Sequence, residues 1–333
     1  MTINELSKSK RILIIRLSSL GDILLSTPLI RAIKSRFPQI EIDFVLREQY
    51  TDTLKLNPHL NKIFLYKKNN VLNKNIFDEI AANNYDLIID LQNNLRSRKI
   101  TSIAKSKVVR FDKRTFDKFL LVNFKINKLN NAPQIPVRYA QTIDDLNLDN
   151  KGIDLFTDKT ANQLIIGKEN LIGLCPGARH FTKRYPKEYF IQLANQLYQH
   201  GHEVVLFGGK IDKQLCNEIK NEIPFVIDLS NDDDLLQTAT DMKICSTIVC
   251  NDSGLMHVAS STGTFVVALF GSTIKEFGFT PYNCNHSIFE NNLLTCRPCS
   301  HIGRSSCPKK HFNCLLAIKP EAIFENILSS IIN

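Results

Sequence analysis

Asp22 is the residue in this chain best placed to do acid–base chemistry. It follows Gly21 in the stretch RILIIRLSSLGDILLSTPLIRAIKSRFP, where an apolar run gives way to a helical pattern. A strand that turns into a helix through a glycine-rich loop ordinarily cradles phosphate. This loop has one glycine, and its carboxylate repels phosphate. A carboxylate at the carboxyl end of a strand can instead take a proton from a hydroxyl. It can also cap orphan N–H groups and favour the positive end of the helix dipole, with Gly21 permitting the turn before it. The two roles are compatible, since one oxygen can cap while the other faces a substrate.

Groups suited to an anion lie in the second half of the chain. In CPGARHFTKRYP, Gly177 lets backbone amides approach a ligand, and Arg179, Lys183 and Arg184 add charge before a helix that starts near Pro186. Three cations, a glycine turn and a helix start together suit a diphosphate, and the competing reading is ordinary surface charge. LFGGKID ends a strand at Gly208 and Gly209, with Asp212 three residues on. Small residues let a nucleotide lie against the backbone and an acid can take ribose hydroxyls, although the same residues serve common turns. CNDSGLMHVA brings Asp252, Ser253 and Gly254 out of a strand, and His257 follows in the first turn of a helix. That pattern suits phosphate at a helix start, or a histidine that merely packs. ALFGST adds a strand–glycine–hydroxyl corner with Gly271 and Thr273.

The elements that must position these residues alternate along the chain. Strands are expected at 11–16, 41–46, 62–66, 86–90 and 107–110, with helices near 22–36, 49–56, 75–83 and 96–104 between them. Short apolar runs separated by helices mean βαβ units and a parallel sheet. After Phe111 the pattern weakens. A helix near 135–145 then leads into the polar stretch LDNKGIDLFTDKTANQ, a candidate linker. The same logic restarts from NLIGLCPGA onward. We therefore expect two α/β domains, residues 1–165 and 166–333, each a doubly wound parallel sheet. Ligands of such sheets bind outside the carboxyl ends of the strands, so a cleft between the two is the expected site.

Length and composition agree with two soluble domains of ordinary size: 333 residues, 43% apolar and 23% charged. No run approaches the length of a membrane span. The first residues lack the apolar core of a signal peptide, so a cytoplasmic location is expected. The net charge of +9 is lopsided, with 27 Lys and Arg against 17 Asp and Glu up to residue 165, and 15 against 16 beyond it. An anionic partner of the first half fits this asymmetry, as does a simply Lys-rich surface. Nucleic acid is not expected, because no basic stretch is interleaved with aromatics in a binding motif.

The ordered set GDILLSTPLIRAIKSRFP, PGARHFTKRYP, FGGKID, NDSGLMHVA, LFGST and CRPC…CP…HFNCL…IKPE resembles glycosyltransferase family 9, the ADP-heptose:lipopolysaccharide heptosyltransferases and their relatives. The resemblance runs from about Arg11 to Ile327 and is weakest over residues 111–165. It implies a GT-B fold of two Rossmann-like domains facing across a cleft. The first would bind the acceptor and the second the nucleotide-sugar. It further implies an inverting, metal-independent sugar transfer that requires no cofactor, with ADP-heptose as donor. The implied acceptor is an anionic glycolipid such as phosphorylated, Kdo-bearing lipid A, which leaves room for peripheral contact with the cytoplasmic face of the inner membrane.

Carried over by position, the resemblance makes Asp22 the general base and Lys183 a diphosphate ligand. Asp252, Gly254 and His257 match its Asp-x-Gly-x-x-His motif, and Asp212 matches an acidic position near the donor ribose. The family's aromatic after Lys-x is commonly Trp, and here it is Tyr185. Other readings of the same fold are a transferase for a different sugar or a protein acceptor, and a non-catalytic nucleotide-sugar binder.

The nine cysteines all lie in the second half. Cys175, Cys216, Cys245 and Cys250 read as reduced core residues. Cys296, Cys299, Cys307 and Cys314, with His301 and His311 among them, admit zinc on spacing alone. Their intervals are not those of a standard zinc ribbon, and a reduced loop packed on the second domain is the favoured reading.

Overall fold

The structure, a computed structural model, describes residues 1–67 and 73–332. The chain divides into two compact units. The first comprises Met1–Thr115 and Pro133–Phe156, and the second Phe116–Ala132 and Thr157–Asn333. The expected boundary at residue 165 falls inside the second of these segments. Among the described residues no helix is long and apolar enough to cross a membrane.

In the first unit a short helix α1 (Ile3–Leu6) precedes strands β1 (Arg11–Ile15), β2 (Glu41–Arg47), β3 (Lys62–Tyr66), β4 (Leu87–Asp90) and β5 (Lys107–Arg110). They form one parallel sheet in the order β3-β2-β1-β4-β5. Central β1 pairs Ile12 with Ile42 on one side and with Leu87 on the other. Residues Ile12 to Ile15 are fully buried, which is why this strand reads as an unbroken apolar run rather than an alternation. One face of the sheet packs Leu13, Ile15, Val45, Phe64 and Ile88 against Ile80 and Ile100. Those two come from α4 (Lys74–Ala82) and α5 (Leu95–Ile103).

The single helix expected over 22–36 is two, α2 (Leu20–Leu24) and α3 (Thr27–Arg36). Pro28 is the cause. It has no N–H to give Leu24, and its ring crowds that carbonyl. The Thr27 hydroxyl donates to Leu24 O instead, at 2.8 Å, and the Ser26 hydroxyl to Ile23 O at 2.6 Å. The helix expected at 49–56 is a 3₁₀ stretch, Glu48–Thr53. Conversely, α6 (Thr115–Phe124) lies where the sequence pattern faded, and α7 (Ile135–Ala140) ends sooner than expected.

The candidate linker is tethered at both ends. Arg31 of α3 donates to both oxygens of Asp149 (2.8 and 2.6 Å), to Gly152 O (2.8 Å) and to Asp154. Past the division, the Thr157 hydroxyl donates to Leu236 O at 3.3 Å and the Asn162 amide to Asp241 Oδ1 at 2.8 Å.

The second unit carries β6 (Leu171–Cys175), β7 (Glu203–Leu206), β8 (Ile227–Asp228), β9 (Thr247–Asn251), β10 (Phe265–Phe270) and β11 (His286–Glu290). Its parallel sheet runs β11-β10-β9-β6-β7-β8. Helices α8 (Lys187–Gln199), α9 (Lys213–Glu222), α10 (Leu235–Met242), α11 (Gly254–Ser260), α12 (Asn313–Leu316) and α13 (Pro320–Ile332) complete it. Its largest core joins Leu174, Leu206, Val249 and Val267 to Phe190 and Leu193 of α8 and to Ile323 and Ile327 of α13. The segment 116–132 adds a smaller cluster, in which Leu121 and Leu129 pack on Ile274 and Phe277.

Because Leu13 is fully buried in the first unit's core, Leu13→Ala should cost about 2–5 kcal/mol, read as a lowered urea midpoint. The control Leu95→Ala, at a side chain 86% exposed, should stay within about 0.5 kcal/mol.

Candidate functional site

The first station sits at the carboxyl end of β1. Ser19 starts α2 and Asp22 occupies its third position, where the pair forms a reciprocal capping box. Asp22 Oδ2 accepts from the Ser19 amide at 3.0 Å and from the Ser19 hydroxyl at 2.6 Å. Its Oδ1 faces the Arg16 guanidinium at 2.5 Å. Both oxygens are therefore engaged, rather than one being left to the substrate. Arg16 also donates to Leu91 O at 2.6 Å and lies 5.8 Å from the centre of the Tyr139 ring. Gln92 Oε1 accepts the amides of Leu17 and Ser18 (2.9 and 3.1 Å) and so fixes the loop itself.

Electrostatics follow from that pairing. Burial pushes the Asp22 carboxyl up, but Arg16 and the Ser19 hydrogen bonds more than offset it, and the net shift is downward. Lys113 is held below its ordinary value, by burial first and Arg16 second, with Asp90 and Asp22 opposing. Arg16, Gln92, Asp90 and Lys113 were not singled out from sequence. The usable signal was a charge or amide closing an apolar run at Arg16, and again at Asp90.

The second station is built at the ends of β6, β7, β9 and β10. Lys183 Nζ lies 2.6 Å from Asp252 Oδ2, and the Thr273 hydroxyl donates to the same oxygen at 2.5 Å. Asp252 is thus spent on Lys183 and Thr273, and it does not cap α11. That helix begins after Ser253, whose buried hydroxyl has no hydrogen-bond partner among the described residues. His257 is buried within α11. Thr273 is held in turn by Arg297, which donates to Thr273 O (2.8 Å) and Gly271 O (2.7 Å) and pairs with Glu290 at 3.0 Å.

Close approach of backbone requires glycine at Gly271, where a Cβ would stand 2.6 Å from Thr182 O, and a Cβ on Gly177 would stand 2.1 Å from Asp212 Oδ1 and displace that carboxylate. Asn251 ties the turn after β6 by donating to Pro176 O at 2.9 Å and Gly177 O at 3.2 Å while accepting the Tyr185 amide at 2.9 Å. Asp212 accepts the Gly209 amide at 3.2 Å. Burial raises its carboxyl, against that hydrogen bond and Arg184. A Cβ on Gly209 would meet Asp233 Oδ1 at 2.4 Å.

Arg179 is exposed, and Arg184 donates to Ala178 O at 2.5 Å. His180 is held below its ordinary value by burial, then by Lys183, Arg179 and Arg184. All three expected cations thus act on the His180 ring.

Cys296, Cys299, Cys307 and Cys314 line one small cavity of about 20 Å³ together with His311, and Cys296 Sγ lies 3.7 Å from His311 Nε2. Among the described residues, no group of three or more His, Cys, Asp or Glu side chains is arranged to hold a metal ion.

Comparison with known proteins matches residues 74–310 to the family described as "Glycosyltransferase family 9 (heptosyltransferase)". The chain is 30% identical over 321 residues to lipooligosaccharide heptosyltransferase 2 of Campylobacter jejuni, covering 92% of this chain and 95% of that one. Among solved structures it is similar to Escherichia coli ADP-heptose lps heptosyltransferase II, with a TM-score of 0.74 and 25% identity over 97% of this chain and 98% of that one. It also shares the fold of E. coli heptosyltransferase WaaC with ADP-2-deoxy-2-fluoro heptose, with a TM-score of 0.69 and 17% identity over 96% and 99%.

Replacing Arg16 by Met should leave the partly buried Asp22 with its Ser19 bonds but without its cation, raising its carboxyl and destabilising the fold by about 1–3 kcal/mol in urea. The pH dependence has a definite sign. The folded-state value of Asp22 is depressed, so its stabilisation is fully present above its unfolded value of about 3.9 and is lost as pH falls through the folded value. Asp22→Asn should therefore flatten the stability–pH curve below about pH 4, as measured by urea midpoints across an acid series.

Proposed function

Since the chain belongs to glycosyltransferase family 9, the heptosyltransferases, and is a glycosyltransferase, we propose that it moves a heptose from ADP-heptose to a hydroxyl of a lipopolysaccharide-type core. What carries this reading in the geometry is Lys183, set 2.6 Å from Asp252 Oδ2, which also accepts from the Thr273 hydroxyl at the strand ends of the second unit, with Arg179 and Arg184 close to it in sequence. Such charges suit a leaving diphosphate better than a neutral ligand. Relatives solved with ADP or an ADP-heptose analogue support ADP as the nucleotide.

In the proposed inverting reaction the acceptor oxygen attacks the anomeric carbon as the bond from that carbon to the diphosphate breaks. The bonding electrons leave with ADP, and the hydroxyl proton passes to Asp22. Arg16 keeps Asp22 ionised, so the base is always charged and ready, at the cost of intrinsic basicity. It takes the proton as the forming bond makes the hydroxyl acidic. Lys183 neutralises the departing diphosphate, with no metal taking that role in the scheme. Asp252 aims Lys183, held itself by Thr273, and offers its other oxygen to a donor hydroxyl. Asp212 is assigned to the donor ribose, and Ser253, Gly254 and His257 to the remainder of the donor.

The basic first half supports an anionic acceptor, for which phosphorylated, Kdo-bearing lipid A is our choice. We also propose that the protein works at the cytoplasmic face of the inner membrane.

Asp22→Asn should lower kcat by about 10²–10⁴-fold while ADP affinity by calorimetry is unchanged. Near-normal turnover would remove Asp22 from the role of base. Lys183→Met should weaken ADP binding by about 10–100-fold. A thermal-shift screen of ADP-heptose against UDP- and GDP-sugars should show stabilisation by ADP-heptose, and a stronger response to another nucleotide would displace it as donor.

A further inference from the structure

Helix α6 is apolar on two sides. One side is accounted for, since Leu121 is buried with Leu129 against Ile274 and Phe277. The other is not. Phe116 is 66% exposed, Phe119 52%, Phe124 61% and Ile126 50%. Phe116 and Phe119 stand three residues apart, one above the other on the same helix face. The Phe119 and Phe124 rings meet edge-on at 5.9 Å. The Asn123 amide, beside them, is turned back to donate to Phe119 O at 2.9 Å. The result is an exposed apolar ridge of three phenyl rings, with Ile126 exposed just past the helix. A soluble helix of this kind is ordinarily buried all round.

Cations outnumber acids around the ridge. Lys113, Arg114, Lys118, Lys125 and Lys128 lie within α6 or up to four residues from it, against Asp112 and Asp117. The Lys125 ammonium is held by carbonyls, Pro298 O at 2.7 Å and Cys296 O at 3.2 Å, which leave its charge in place. Lys118 lies over the Phe279 ring, 5.8 Å from its centre. The charge is felt nearby, because His301 is held low by burial and then by Lys118 and Lys183.

We propose that α6 is a membrane-docking element. Phe116, Phe119, Phe124 and Ile126 enter the headgroup layer of an anionic phospholipid bilayer, and the flanking cations meet its phosphates. An exposed apolar ridge with an excess of cations around it suits an anionic headgroup layer, and long basic side chains reach phosphates while their stems stay in the apolar layer. A second copy of this chain is the poorer occupant, since it would set like charges face to face. The assignment rests on the peripheral-membrane reading above and names the surface that reading leaves open.

The test uses the whole chain and vesicles of phosphatidylcholine with or without phosphatidylglycerol, free of any sugar acceptor. The chain contains no Trp, so Phe119→Trp is a single fluorescent reporter. Its emission should shift to the blue only with phosphatidylglycerol vesicles and return on adding salt. Phe116→Ser/Phe119→Ser should abolish co-sedimentation. Lys128→Glu, which leaves the ridge intact, should weaken it about fivefold or more. Both variants should transfer sugar normally to a delipidated, water-soluble acceptor, which keeps the enzymatic reading separate.

Vesicle binding that survives both variants with an unshifted Trp would overturn the α6 assignment and leave the peripheral reading standing. No binding of the unsubstituted chain would overturn both. A blue shift that appears without vesicles and grows with protein concentration would mark self-association and likewise overturn the proposal.

Discussion

A carboxylate cannot stay ionised out of water without a cation, and the first unit is arranged around meeting that need for Asp22. Arg16 closes β1 and brings its guanidinium to Asp22 Oδ1, while the Ser19 amide and hydroxyl take Oδ2. The backbone between them is not free to relax, because Gln92 holds the Leu17 and Ser18 amides from the neighbouring strand end. The acid is consequently fixed in position and charge by two strand ends, β1 and β4. A loop of Leu17-Ser18-Ser19 could not do this alone.

The second unit solves a related problem with the signs exchanged. Arg179, Lys183 and Arg184 fall within six consecutive residues, and like charges so placed repel. Asp252 relieves part of that repulsion at Lys183, and Thr273 and Arg297 hold Asp252 and its loop in place. The chain of contacts from Glu290 through Arg297 to Lys183 thus runs outward from a buried ion pair to the group proposed to meet phosphate. In both units the charged group nearest the chemistry is positioned by an opposite charge, so neither can be altered singly without releasing its partner.

Much of this was legible in the sequence. Buried parallel strands write themselves as unbroken apolar runs, so β1 to β5 were read within a residue or two. Glycines within a few residues of an acid marked the strand ends where Asp22, Asp212 and Asp252 lie. The illegible parts share a physical cause, which is that they depend on distant residues or on a single local veto. Arg16 looked like the polar end of a strand until Asp22 was folded onto it. Lys183 and Asp252 are separated by 69 positions in the sequence, and nothing local tells that they meet. Pro28 broke a helix whose apolar spacing continued unchanged through it. Helix α6 escaped because its apolar residues lie all round it and give no single stripe to count.

The core of the second unit has a temporal consequence. Leu174, Leu206 and Val249 all precede in the chain the residues that close over them, Ile323 and Ile327 of α13. Tyr185 likewise waits for the carbonyl of Ile318, to which its hydroxyl donates at 2.8 Å. Until α13 is in place, that face of the sheet lacks the cover of Ile323 and Ile327. Closure of this core therefore waits on contacts that are long-range in sequence, which are the slow ones to form.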